Sequence, residues 1–170
     1  MKARGRGGWL GALALVATLA GGCTIEERTD RAADETPATS TDRRVFRPGG
    51  SSGTAPLSSA VRSGDLIFLS GALGTVSGAG GARLVEGGVG AETRQALDNL
   101  AGILEMAGAT MTDVLKCTVF LADIADIAEM SEAYAGYFPS EPPARTTVGA
   151  EIAAGGRVEI ECIAAAPTGS

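Results

Sequence analysis

Residues 113–123 read DVLKCTVFLAD. The run is rich in β-branched and aromatic residues, and it alternates. Val114, Thr118 and Phe120 are expected on one side, Leu115, Cys117, Val119 and Leu121 on the other. Apolar residues on both sides predict a strand covered on much of both faces, which is an interior position in a sheet.

A helix flanks this strand on each side. In AETRQALDNLAGILEMAG (91–108) the apolar residues Ala96, Leu97, Leu100, Ile103, Leu104 and Ala107 recur at spacings of three and four. Gly108 is placed to stop that helix. After the strand, Asp126 with Glu129 three residues on reads as a capping box. The helix it opens carries Ile127, Met130, Tyr134 and Phe138, and PSEPP (139–143) breaks it. Farther out, LSSAVRSGDLIFLSG (57–71) reads as two strands joined at Ser63-Gly64. Residues 72–90 are glycine-rich, with ARLVE (82–86) as a short strand inside. ARTTVGAE (144–151) and RVEIECIAAA (157–166) are the last strands, with Gly155-Gly156 turning between them. The order β-β-β-α-β-α-β-β predicts an α+β domain: one mixed six-stranded sheet with both helices on one face. The bare face then calls for cover, which self-association supplies.

The N-terminus reads differently. MKARGRGGWLGALALVATLAGGC (1–23) has a basic leader at Lys2, Arg4 and Arg6, an apolar stretch too short for an ordinary bilayer-spanning helix, and small residues before Cys23. This order resembles the signal and lipobox of bacterial lipoproteins, with Ala20 where leucine is usual. The resemblance implies cleavage after residue 22 and lipidation of Cys23. Thr24 follows where an aspartate would imply inner-membrane retention, so outer-membrane anchoring facing the periplasm is the expectation. A plain cleaved signal or an uncleaved anchor is the alternative. Residues 23–54 then read as the lipidated cysteine and a polar, disordered tether, and residues 55–168 as one domain.

Composition removes whole classes of function. Residues 1–22 hold three basic residues and no acidic one, so the net charge of −6 becomes −9 without them. A domain this acidic suits nucleic acid poorly. The chain has no histidine, which excludes Ser-His-Asp and Cys-His nucleophile systems and imidazole zinc sites. Of the three cysteines, Cys117 and Cys162 lie mid-strand among apolar residues. Buried small side chains are the leading reading there, a disulfide the other.

Few residues are left for chemistry. Arg145 enters a strand directly after Pro142-Pro143; by itself it reads as a surface cation. Glu159 and Glu161 share one strand face, about 7 Å apart, and alone fit a solvated face. A hairpin between the last two strands would bring Arg145 toward their end, and its side relative to Glu159 depends on the register.

Taken in order, these pieces resemble the RidA family of reactive-intermediate imine deaminases, also called the YjgF/UK114 family. The resemblance runs from about Ala55 to Ala165. It rests on AVRSGDLIFLSG, on ETRQALDNLAGILEMAGATMTDVLKCTVFLADIADIAEMSEAYAGYF, and on FPSEPPARTTV followed by VEIECIA. It implies a chorismate-mutase-like α+β fold, a homotrimer with sites between subunits, and hydrolysis of 2-aminoacrylate-like enamines and imines to 2-keto acids and ammonia, without metal or cofactor. On the resemblance, Arg145 binds the substrate carboxylate bidentately and Glu159 positions the water. Ser70, Gly71 and Thr147 line the cleft. Leu57 stands where the family has a tyrosine that contacts substrate. Ala72-Leu73-Gly74 replaces glutamine-isoleucine-proline, and Glu151-Ile152-Ala153 replaces arginine-leucine-proline. The competing functions are a trimeric module that binds a small carboxylate or a partner without turnover, and an anchored structural scaffold.

Overall fold

The computed structural model describes residues 42–47 and 56–167. Cys23, the signal sequence and most of the tether lie outside these. Strands β1 (Arg43–Phe46), β2 (Ala60–Ser63), β3 (Leu66–Leu69) and β4 (Ala72–Leu73) come first, then the hairpin β5 (Thr75–Gly78) and β6 (Gly81–Leu84). Helix α1 (Gly88–Met106), β7 (Val114–Leu121), α2 (Ile127–Ala135), β8 (Ala144–Gly149) and β9 (Val158–Ala165) complete the order. The main sheet runs β1-β2-β3-β9-β7-β8, with β4 also on β9. Its neighbours are antiparallel except β7 and β8, which are parallel. The fold is therefore α+β with a mixed sheet, as the sequence predicts, but the sheet has seven strands and not the expected six, because β1 and β4 join it and ARLVE does not.

DVLKCTVFLAD occupies the interior position expected of it, between β9 and β8. Cys117, Val119 and Leu121 are buried against the helices with Ile160 and Val158 of β9 and Leu97, Leu100 and Leu104 of α1. One facing was misjudged. A register shift between Val114 and Lys116 leaves Leu115 exposed and turns Val114 inward opposite Ala164, because a bulge resets the two-residue alternation. Helix α1 ends at Met106, and Gly108 takes φ +80 after it, the expected stop.

Other expectations fail for identifiable reasons. The last two strands form no hairpin: β7 lies between them, because β8 runs parallel to β7 and the chain crosses over it to reach β9. ARLVE contributes β6, which pairs only with β5 in a separate two-stranded sheet. RRVF (43–46), inside the stretch read as tether, forms β1 and buries Phe46; four residues gave no period strong enough to read. The Asp126–Glu129 capping box is not made. Asp126 pairs with Arg157 at 3.9 Å, and Glu129 accepts the backbone N–H of Gly90 in the first turn of α1 at 3.1 Å. One helix thus caps the other.

Cys117 and Cys162 are disulfide-bonded, not free buried thiols. They stand directly opposite one another on β7 and β9, with Cα atoms 4.1 Å apart. The cross-strand register that brings them together could not be seen from their separation of 45 residues.

Candidate active site

The expected site residues fall into two groups on opposite faces of the sheet. Directly paired residues in neighbouring strands share a face. Arg145 pairs with Cys117, which pairs with Cys162, so Arg145 lies on the helix-covered face; Thr147, opposite Val119, lies there too. Val148 pairs with Phe120, which pairs with Glu159, so Glu159 lies on the open face, and Glu161 lies there with it.

Arg145 sits on the edge strand β8, and α2 positions it. Its Nη2 donates to Ser131 Oγ at 3.0 Å, and Nη1 approaches Met130 Sδ at 3.9 Å. The guanidinium carbon stands 4.9 Å from the centre of the Tyr134 ring, a cation–π contact. Tyr134 in turn stacks on Phe138 at 4.7 Å. Burial pushes the Tyr134 hydroxyl up to about 12, against the opposing effect of Arg145, so the ring stays neutral at physiological pH. Among the described residues no carboxylate lies within ion-pair distance of Arg145. The cation is oriented by a hydroxyl and a ring, with donors left for an anion.

The other group surrounds a break between β3 and β4. Phe68 pairs with Ile163 and Ala72 with Ile160: four residues advance along one strand against three along β9. The extra residue makes a bulge at Ser70-Gly71, a device common beside active sites. Ser70 Oγ donates to the Ser58 carbonyl at 2.7 Å, holding the chain after Leu57 in place. Gly71 lets the two approach closely: a Cβ at this position would meet Glu159 Oε1 and push that carboxylate aside. The Glu159 carboxylate therefore rests on the Gly71 backbone. A cavity of about 260 Å³ opens at the bulge, lined by Leu57, Ser70, Gly71 and Leu73 together with Asn99 and Ile103 of α1, and not by Glu159 itself.

Two of the sequence departures acquire a physical reason. Gly74 lies so close to α1 that a Cβ would stand 2.5 Å from Glu92 Cα. Ile152 is buried and packs on Gly156, walling the β8–β9 connection. Sequence reasoning missed Ser131 and Tyr134 as the supports of Arg145. Their spacing of three on one helix was visible, but not that β8 would lie beneath it. No group of three or more His, Cys, Asp and Glu side chains suited to a metal occurs among the described residues.

A family model described as Endoribonuclease L-PSP matches residues 51–166. The chain belongs to that family. It is the RidA family of the sequence reading, and relatives carry that chemistry in their names. An Arabidopsis thaliana protein named Reactive Intermediate Deaminase A, chloroplastic, is 42% identical over 110 residues, which is 64% of this chain and 58% of that one. A Bos taurus protein named 2-iminobutanoate/2-iminopropanoate deaminase is 46% identical over 110 residues, 64% of this chain and 79% of its own length. The crystal structure of a conserved Rid-family protein from Yersinia pestis is 31% identical with a TM-score of 0.65, covering 72% of this chain and 98% of that one. The RidA-family fold thus takes in nearly everything described here.

Proposed function

We propose that this protein hydrolyses small 2-imino and 2-enamino acids to 2-keto acids and ammonia, at sites completed between copies of the chain in a homotrimer. The observation that carries the reading is Arg145, held at the sheet edge by Ser131 and Tyr134 without a carboxylate partner among the described residues. A fork-shaped cation so placed fits a substrate carboxylate bidentately. Glu159 lies on the other face of the same sheet, so one copy offers Arg145 and Thr147 while a second offers Glu159, Ser70, Gly71 and Leu57.

The chemistry asks for little more than positioning. A protonated imine is already electrophilic at C2. Glu159 takes a proton from water as the oxygen bonds to C2 and the C=N electron pair moves to nitrogen. Glu159 returns that proton to the amine nitrogen, and the carbinolamine breaks its C–N bond as its hydroxyl proton passes to solvent, releasing ammonia and leaving the 2-keto acid. Fixing the acid and the water together supplies most of the acceleration. The names of the relatives support this reading. The acidic chain offers poor attraction to the RNA that the family description suggests.

The test feeds imines from an amino-acid oxidase to the purified domain and follows their loss. Arg145→Ala should lower kcat/KM roughly 30- to 150-fold, the worth of losing a charge-assisted pair of hydrogen bonds. Arg145→Lys, which keeps the charge but not the fork, should recover only part of it. Wild-type protein that does no better than buffer would sink the reading. Leu57 in place of a family tyrosine favours the second reading, a trimeric carboxylate-binding module without turnover. Saturable binding of pyruvate with no imine loss would decide for it.

We further place the protein outside the cytoplasm, lipid-anchored through Cys23 to the outer membrane and facing the periplasm. The Cys117–Cys162 disulfide supports an oxidising compartment. Cys23→Ser should release the mature protein from membranes, and retention of the variant there would refute the anchor.

A further inference from the structure

The open face of the sheet is not uniformly apolar. On its interior strands Lys116 of β7 stands opposite Ile163 of β9, Thr118 opposite Glu161, and Phe120 opposite Glu159. Thr146 of β8 continues the middle row beside Thr118. A polar strip therefore crosses the middle of the face, flanked by Leu66 and Phe68 of β3 and by Val148 of β8.

The two charges beside this strip do not meet within one copy. Lys116 and Glu161 are diagonal neighbours across β7 and β9. The Lys116 ammonium donates to the Cys117 carbonyl at 3.0 Å and approaches Thr118 Oγ1 at 3.5 Å, which lays it back along its own strand. One of its three donors is left over. Glu161 is exposed, and among the described residues it has neither a hydrogen bond nor an ion pair.

Solvent satisfies such groups while the face is bare. A second copy laid over the face removes that solvent, and a carboxylate desolvated without a partner opposes the contact strongly. Threefold symmetry sharpens the demand, because an axis beside the face gathers three copies of whatever lies at its middle. Three carboxylates alone repel one another. Three carboxylates alternating with three ammonium groups attract.

Resting on the homotrimer proposed above, we infer that Glu161 of each copy pairs with Lys116 of the next, closing a ring of alternating charges about the threefold axis. The apolar flanks of the face supply attraction to any similar surface. The ring makes the contact selective, admitting only a chain with the opposite charge at the matching place.

Charge exchange provides the test, read by analytical ultracentrifugation over a range of protein concentrations. Lys116→Glu and Glu161→Lys should each raise the concentration for half-assembly roughly hundredfold or more, since like charges then meet at every contact. Circular dichroism should show each variant folded, because neither side chain belongs to the core. Both changes in one chain should bring assembly back to within about tenfold of wild type. Mixing the two single variants decides where the pair forms. Each variant alone has like charges at every contact of the ring, whereas a mixed trimer has them at only one, so mixing should restore assembly. A pair formed within one copy gains nothing from mixing. A single variant that assembles like wild type, a double variant that does not recover, or single variants that stay apart when mixed would each overturn this inference and leave the homotrimer standing. Wild type that does not assemble at any concentration overturns the homotrimer itself.

Discussion

The two faces of the sheet differ more than any two other regions of the molecule. On the helix side, Cys117, Val119, Leu121 and Ile160 are fully buried beneath α1 and α2. On the open side, Phe68 and Leu115 keep 44% and 51% of their surface exposed, with Leu66 and Val148 comparably bare. The first face is finished within one chain. The second carries large apolar side chains beside Glu159 and ends at the edge strand β8, which holds Arg145. The contrast separates what a single copy needs to fold from what it needs another copy to do.

The largest effect should come from the finished face. The Cys117–Cys162 bond lies wholly inside it and spans 45 residues of sequence. A cross-link of that span restricts the unfolded chain by about 4 kcal/mol. Replacing both cysteines by alanine should lower the melting temperature by roughly 10–20 °C in a domain of this size. The loss should be the same at every protein concentration, since the bond joins strands of one copy. Scanning calorimetry over a hundredfold concentration range checks both points. A shift under 3 °C would mean that packing alone holds β7 to β9.

A smaller effect on folding, but a decisive one on assembly, should follow on the open face. Phe68→Asp puts a charge where the side chain is already 44% exposed, so the single copy loses little. In an assembly that covers this face, the same charge is desolvated without a partner. Analytical ultracentrifugation should show wild type as a trimer and the variant as a folded monomer, with imine turnover lost alongside. A variant that remains trimeric would show that the open face is not the contact.

The same division marks what the sequence could tell. The helix face was legible, because its code is local: Leu97, Leu100 and Leu104 repeat at helical spacing, and Val119 and Leu121 at strand spacing. The placement of Glu159 and Glu161 together on one strand face was legible by the same alternation. The failures were non-local. Pairing of β8 with β7, the disulfide, and the capping of α1 by Glu129 join segments far apart in sequence, and no period announces them. The carboxylate and arginine assignments came from resemblance; on the residues alone both fitted a solvated surface. That Arg145 and Glu159 lie on opposite faces follows only from the register, and it changes how a site must be built.

The smallest effect tests the chemistry at the rim of the finished face. The chain has two tyrosines, and both are pushed up to about 12. For Tyr134 the cause is burial, opposed by Arg145. For Tyr137 it is burial, then the hydrogen bond it donates to Asp98 at 2.6 Å and the charge of that carboxylate, opposed by Arg94. Each folded value lies above the unfolded value of 10.0, so the native state holds its phenolic protons longer. Stability from this source is complete below pH 10. It falls between about pH 10 and 12, as the unfolded chain ionises first, by at most about 1.4 kcal/mol per pH unit for buried Tyr134 and by well under that for Tyr137, whose exposed hydroxyl is screened by solvent. Absorbance at 295 nm should therefore show little phenolate in the folded protein at pH 10.5, and full titration once urea is added. Tyr137→Phe should halve the late signal and leave Tyr134 as its reporter. Because Arg145 is the group that opposes the rise at Tyr134, a carboxylate bound to that guanidinium should delay Tyr134 ionisation further. Saturating pyruvate that leaves the Tyr137→Phe titration unmoved would mean that the acid does not bind at Arg145.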